Sequence, residues 1–123
     1  MNWHRMTERL RAALDTAGIE DVQVIDDARS AALHLTEGRV VVLTDPPTLD
    51  FTTWDITTAE ISVLVIAGPE SEPNAAFDRI MPVIEALRIP LEADRAEPVT
   101  FHDVQGPGWP AYRLTSNHEW STT

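Results

Sequence analysis

A chain of 123 residues, 43% hydrophobic and 24% charged, suits a single domain with one core, and it is too apolar for disorder throughout. No cysteine is present, which excludes disulfides, thiolate metal sites and cysteine nucleophiles. Twenty acidic residues against nine arginines, with no lysine, give a formal charge of −11, which either serves solubility alone or should repel nucleic acid and anionic lipid.

The opening residues Met1-Asn2-Trp3-His4-Arg5 lack the apolar core of a secretory signal, and no apolar run is long enough for a membrane helix. The expectation is a protein made and used in the cytosol, or in something assembled there. Trp3, Met6, Leu10, Ala13, Leu14 and Ala17 recur at the three-four spacing of one helix face, and Gly18 follows where a left-handed C-terminal cap wants glycine. Val22-Gln23-Val24-Ile25 predicts a short strand, and Asp26-Asp27 a turn. The segment from Ala28 to Leu35 fits either a helical turn or a loop packed on the core, and Gly38 breaks it. The β-branched run Arg39–Thr44 predicts a strand stopped by Asp45-Pro46-Pro47.

An acidic, threonine-rich loop is expected next. A long strand should then start half exposed at Trp54, Ile56 and Thr58 and enter the sheet interior over Ile61–Ala67. Gly68-Pro69 ends it. A second helix should begin near Pro73, with Ser71 or Glu72 at the cap, and bury Ala76, Phe77, Ile80, Met81, Ile84 and Leu87. Pro82 should kink or split that helix, and Ile89-Pro90 should end it. The last third predicts a hairpin. Val99 and Phe101 lie in one strand, Gly106–Pro110 forms the loop, and Tyr112, Leu114, Ser116, His118 and Trp120 share one face of the other strand.

The order α–β–(α)–β–β–α–β–β argues for one α+β domain over residues 1–123. It should contain a mostly antiparallel sheet of four to five strands with two main helices on one face. The opposite face then needs cover or a partner.

No constellation of catalytic residues stands out. His4, His34, His102 and His118 lack the local spacing of a zinc site, the nearest two being sixteen positions apart. Asp26-Asp27 with Asp45 could hold magnesium, but acids at turns and strand ends are the commoner reading. No phosphate-binding glycine loop or nucleophile elbow occurs, and Pro107 removes a donor from Gly106-Pro107-Gly108. No cofactor and no metal is expected.

Two features point elsewhere. No base lies between Arg39 and Arg79, while that stretch carries Asp45, Asp50, Asp55, Glu60, Glu70, Glu72 and Asp78. Such a block is a solvated face, or the wall of a passage along which a polyanion slides. Trp54, Trp109 and Trp120, with Phe51 beside the first, stand where a small monomer struggles to bury an aromatic ring. They are candidates for subunit contacts or end-caps of the core.

In this order of elements the chain resembles the tail terminator proteins of siphophages over nearly its whole length. The likeness rests on the N-terminal helix ending in Ala17-Gly18-Ile19, the strand running into Thr44-Asp45-Pro46-Pro47, and the strand finishing in Val63–Gly68 with the helix from Asn74 to Leu87. The terminal strand through Pro110-Ala111-Tyr112-Arg113-Leu114 completes it. The resemblance implies a virion protein assembled in the host cytoplasm into a hexameric ring, with no catalysis and no membrane. The ring would contact the tail tube protein on one side and a neck or head-closure protein on the other. Genomic DNA would pass through it unbound. Asp50, Asp55 and Glu60 are then candidates for the lumen. The alternatives are another neck adaptor of the virion and, from a different class, a small-molecule-binding or enzymatic α+β domain; native mass separates the latter from a ring former.

Overall fold

The computed structural model describes residues 5–68, 73–102 and 108–120. Among these residues nine elements follow one another: α1 (Met6–Thr16), β1 (Val22–Ile25), α2 (Ala28–Thr36), β2 (Val40–Thr44), β3 (Thr48–Thr53), β4 (Ile56–Ile66), α3 (Pro73–Leu91), β5 (Arg95–His102) and β6 (Gly108–Trp120). The fold is α+β. Its sheet has six strands in the order β1-β2-β4-β6-β5, with β3 also paired to β4. This exceeds the four to five strands expected, and β1 runs parallel to β2 while every other pair is antiparallel.

Two local readings change. The loop expected before Trp54 is strand β3, whose alternating Leu49 and Phe51 fit a pleated surface once β4 offers a ladder. The undecided segment after Asp27 is helix α2. The Asp27 carboxylate accepts the Arg29 N–H at 2.9 Å and so caps its first turn.

Strand β4 alternates between two cores. Ile61, Val63, Val65 and Ala67 pack with Val40, Val42 and Leu114 against Met6, Leu10 and Leu14 of α1 and Ile80, Ile84 and Leu87 of α3. On the other face, Leu64 and Ile66 join Val41, Leu43 and Ala111 under Ala31 and Leu35 of α2. The two main helices do share one face, as expected. The third covers only the β1–β2 side of the other.

Helix α3 continues through Pro82 instead of splitting there. Pro82 and Asp78 are both exposed, so water can satisfy the Asp78 carbonyl that loses its helical donor. Phe77 and Met81, expected inside, are partly exposed, and Val83 and Leu91 are buried instead. Phe77 lies on the flank and tilts against Tyr112, with ring centroids 5.5 Å apart. The helix also runs one residue past Pro90, to Leu91. The expectations for Trp3, for a cap at Ser71 or Glu72, and for the loop around Gly106 and Pro107 lie outside the described residues. Trp109 and Pro110, expected in that loop, already belong to β6.

All three helices end in the same hydrogen-bonded motif. Ile19 N–H donates to the Leu14 carbonyl and Gly18 N–H to Asp15; Arg39 and Gly38 repeat this onto His34 and Leu35; Ala93 and Glu92 repeat it onto Arg88 and Ile89. The motif needs a left-handed residue. Gly18 and Gly38 supply it freely, but at the end of α3 it falls to Glu92, with φ at 54°. Replacing Glu92 by glycine should therefore stabilise the fold by about 0.5–1 kcal/mol, whereas Leu114→Ala, which empties the centre of the larger core, should cost about 2–5 kcal/mol. Denaturant midpoints of the two variants check both signs.

Candidate assembly surface

The helices cover β4 only over its second half. From Ile56 to Glu60 the strand continues with β3 on one side and β6 on the other, down to the pair Thr57–Trp120. This three-stranded arm is built from residues the sequence singled out. Phe51, Trp54, Asp50, Asp55 and Glu60 all sit on its β3–β4 hairpin.

Register sorts them by face. Leu49 and Phe51 pair with Ala59 and Thr57, and these share parity with Ile61 and Val63; they lie on the helix-bearing side of the sheet. Thr48 and Asp50 pair with Glu60 and Thr58 and lie on the other side. The arm is thus amphipathic, apolar on one face and acidic on the other. Phe51 is 73% exposed and Trp54, at the turn, 97% exposed. The Thr53 hydroxyl donates to the Asp55 carboxylate at 2.7 Å and braces that turn.

The other two aromatic candidates lie elsewhere. Trp109 opens β6 at its far end, opposite Phe101, half-buried against the smaller core, and its indole N–H is buried without a partner. Trp120 closes β6 on the arm, beside Thr57 in register, and its side chain is outside the described set.

On the acidic side of the arm's base, Asp45, Thr48, Glu60, Glu97, Arg95 and Arg113 surround a polar cavity of about 280 Å³. Glu97 lies directly across the β5–β6 ladder from Arg113, and Arg95 pairs with Glu97 at 3.7 Å. Thr115 reaches the floor of the cavity with a buried, unpartnered hydroxyl. Burial pushes the Asp45 carboxyl above its ordinary range, and the Arg113 guanidinium pulls it partly back.

One arrangement mimics nucleophilic catalysis. His118 Nε2 lies 3.1 Å from the Ser116 hydroxyl, and His118 Nδ1 lies 3.6 Å from a Glu92 carboxylate oxygen. A serine, a histidine and an acid in that order would suit acyl transfer. Ser116, however, is 0% exposed and lies on the core side of β6. A carbonyl substrate cannot reach an oxygen sealed beneath the helices. The contact instead ties the strained end of α3 to β6.

His34 and His102 lie on separate elements, Asp27 is occupied in capping α2, and no group of three metal-ligating side chains converges among the described residues. No helix there is long and apolar enough to cross a membrane. No family model matches this sequence, and a comparison with curated proteins found no match.

Asp45 generates a test with a definite sign. Its folded-state pKa lies above its unfolded one, so the folded protein binds the proton more tightly. Its cost to stability is absent below the unfolded pKa and grows as pH rises through the folded one. The stability of the wild type relative to Asp45→Asn should accordingly decline from acid toward neutral pH. Melts of both proteins across that range measure it, and a constant difference would count against the burial effect.

Proposed function

We propose that this chain is a structural subunit that joins copies of itself head-to-tail into a closed ring, acting as a tail terminator of a long-tailed phage through which DNA passes. The observation that carries the reading is the amphipathic arm. A small domain that leaves Trp54 and Phe51 in water, beyond the reach of its own core, gains from covering them with another subunit. A cyclic assembly needs two different patches per subunit, which an arm projecting from one end can provide.

The charge agrees with a conduit. Asp50 and Glu60 share the face of the arm opposite its apolar side, and with a net −11 they would line a bore that repels DNA and lets it slide. The tail tube protein and a neck or head-closure protein are the partners such a ring would meet along its axis.

Native mass spectrometry and negative-stain images of the purified chain test the assembly. Closed rings, six-membered by the resemblance, with a bore wide enough for duplex DNA are the expected result; a permanent monomer would sink the reading. Asp50→Asn with Glu60→Gln should leave ring formation intact and slow DNA ejection from assembled particles. Unchanged ejection would remove these acids from the lumen.

A further inference from the structure

The surface that accepts the arm can be sought on the same chain, because a head-to-tail ring of one polypeptide must carry both halves of each contact. What the arm presents is known: the exposed indole of Trp54, the ring of Phe51, and the acid Asp55 held at the turn. Its complement must be apolar, large enough for an aromatic side chain, and basic at one end.

The outer side of the helical layer has these properties. Arg9, Ala12, Ala13 and Thr16 of α1, with Ala17 just past its end, face Ala86 and Pro90 of α3 across a largely apolar trough of about 500 Å³. The trough is shallow and wide open to solvent, so a side chain from outside can reach it. Arg9 closes one end, where its Nη2 donates to the Pro90 carbonyl at 3.2 Å. A guanidinium carries five N–H donors, so this bond leaves others for a carboxylate. Arg5 stands one helical turn earlier on the same side of α1. Ile89, on the exposed side of α3 next to Pro90, is itself 74% exposed.

Charge is distributed to match. Three of the nine arginines, Arg5, Arg9 and Arg11, fall within the first eleven residues, while the whole stretch from Val40 to Asp78 that contains the arm has none. Arg11 is engaged on the other flank of α1, where it donates to the Val24 carbonyl at 2.9 Å. The two left on the trough side are the ones positioned to meet an acid.

We infer that the β3–β4 hairpin of one copy seats in the α1–α3 trough of the next, with Trp54 filling the apolar floor and Asp55 pairing with Arg9. The inference rests on the self-assembly proposed above and names its interface. Since the arm and the trough are different surfaces, an open chain of copies keeps one unfilled trough at one end and one free arm at the other until the ring closes.

The absence of cysteine allows a direct test. The double variant Ile56→Cys with Ala86→Cys, which leaves Trp54, Asp55 and Arg9 in place, should give a ladder of covalent multimers on a denaturing gel when mildly oxidised at a concentration where the wild type assembles. Each single variant should give nothing beyond a dimer. In parallel, Asp55→Arg and Arg9→Glu should each raise the concentration needed for assembly roughly tenfold or more, and combining them in one chain should restore it. Circular dichroism of each variant confirms that it folds. If the wild type forms rings yet the double-cysteine variant gives no ladder and the charge swap no rescue, the trough is not the acceptor and the assembly proposal stands without it. If the wild type stays monomeric at high concentration, both fall.

Discussion

Strand β4 is the constraint on which the rest of the molecule depends. It is hydrogen-bonded on both edges along its length, to β2 and then β3 on one side and to β6 on the other. Between Ile61 and Ile66 its side chains alternate into two separate cores. A strand in that position cannot shift by one residue without exchanging every core side chain for its opposite, so the register of the whole sheet follows from it. The helices then have one arrangement available: α1 and α3 over the odd-numbered side chains, α2 over the even-numbered ones near β2.

The same strand creates the arm. Helical cover stops where α3 turns into β5, and that point is fixed by backbone and side-chain bonds to β6. Asp94 N–H donates to the Thr115 carbonyl at 2.8 Å, and the Asp94 carboxylate accepts from the Asn117 backbone at 3.1 Å. Beyond it the ladder continues without a core behind it. Three strands can hold such an extension by hydrogen bonding, but Leu49 and Phe51 then face water on the side where buried residues would normally meet helices, and Trp54 at the turn is exposed as well. The acidic face carries no such penalty, because carboxylates are well solvated there. The arm is held to the domain by its backbone, while its apolar side chains stay in water.

The uncovered part of the sheet's second face is managed differently. Instead of a helix, it has the polar cavity where Asp45, Glu60 and Glu97 surround Arg95 and Arg113. Opposed charges let side chains sit over a sheet without a hydrophobic lid, at the cost of partial burial that Asp45 registers as a raised pKa. A similar economy holds at the end of α3. Glu92 occupies a left-handed position that suits glycine, and its carboxylate reaches His118. The price of that backbone strain is tolerable because the turn directs the chain into β5.

Periodicity in the sequence by itself determined α1, β1, β2, the interior half of β4, the buried stripe of α3 apart from its flank, and the alternation of β6. In each, either a spacing of 3.6 or 2 or, for β2 and the interior of β4, a short continuous apolar run coincides with burial, and no neighbour is needed to decide it. The aromatic and acidic residues of the arm were also legible as odd, because rings and carboxylates concentrated in one stretch without bases. What only the tertiary structure decided was where those oddities meet. Strand β3 depends on the ladder that β4 offers, α2 on a sheet face to cover, and the exposure of Phe77 on the orientation of α3 over Tyr112. Likewise the trough between α1 and α3, and the burial that silences Ser116, arise between segments far apart in the chain. Local pattern reports which side of an element is apolar; only packing reports what, if anything, lies against it.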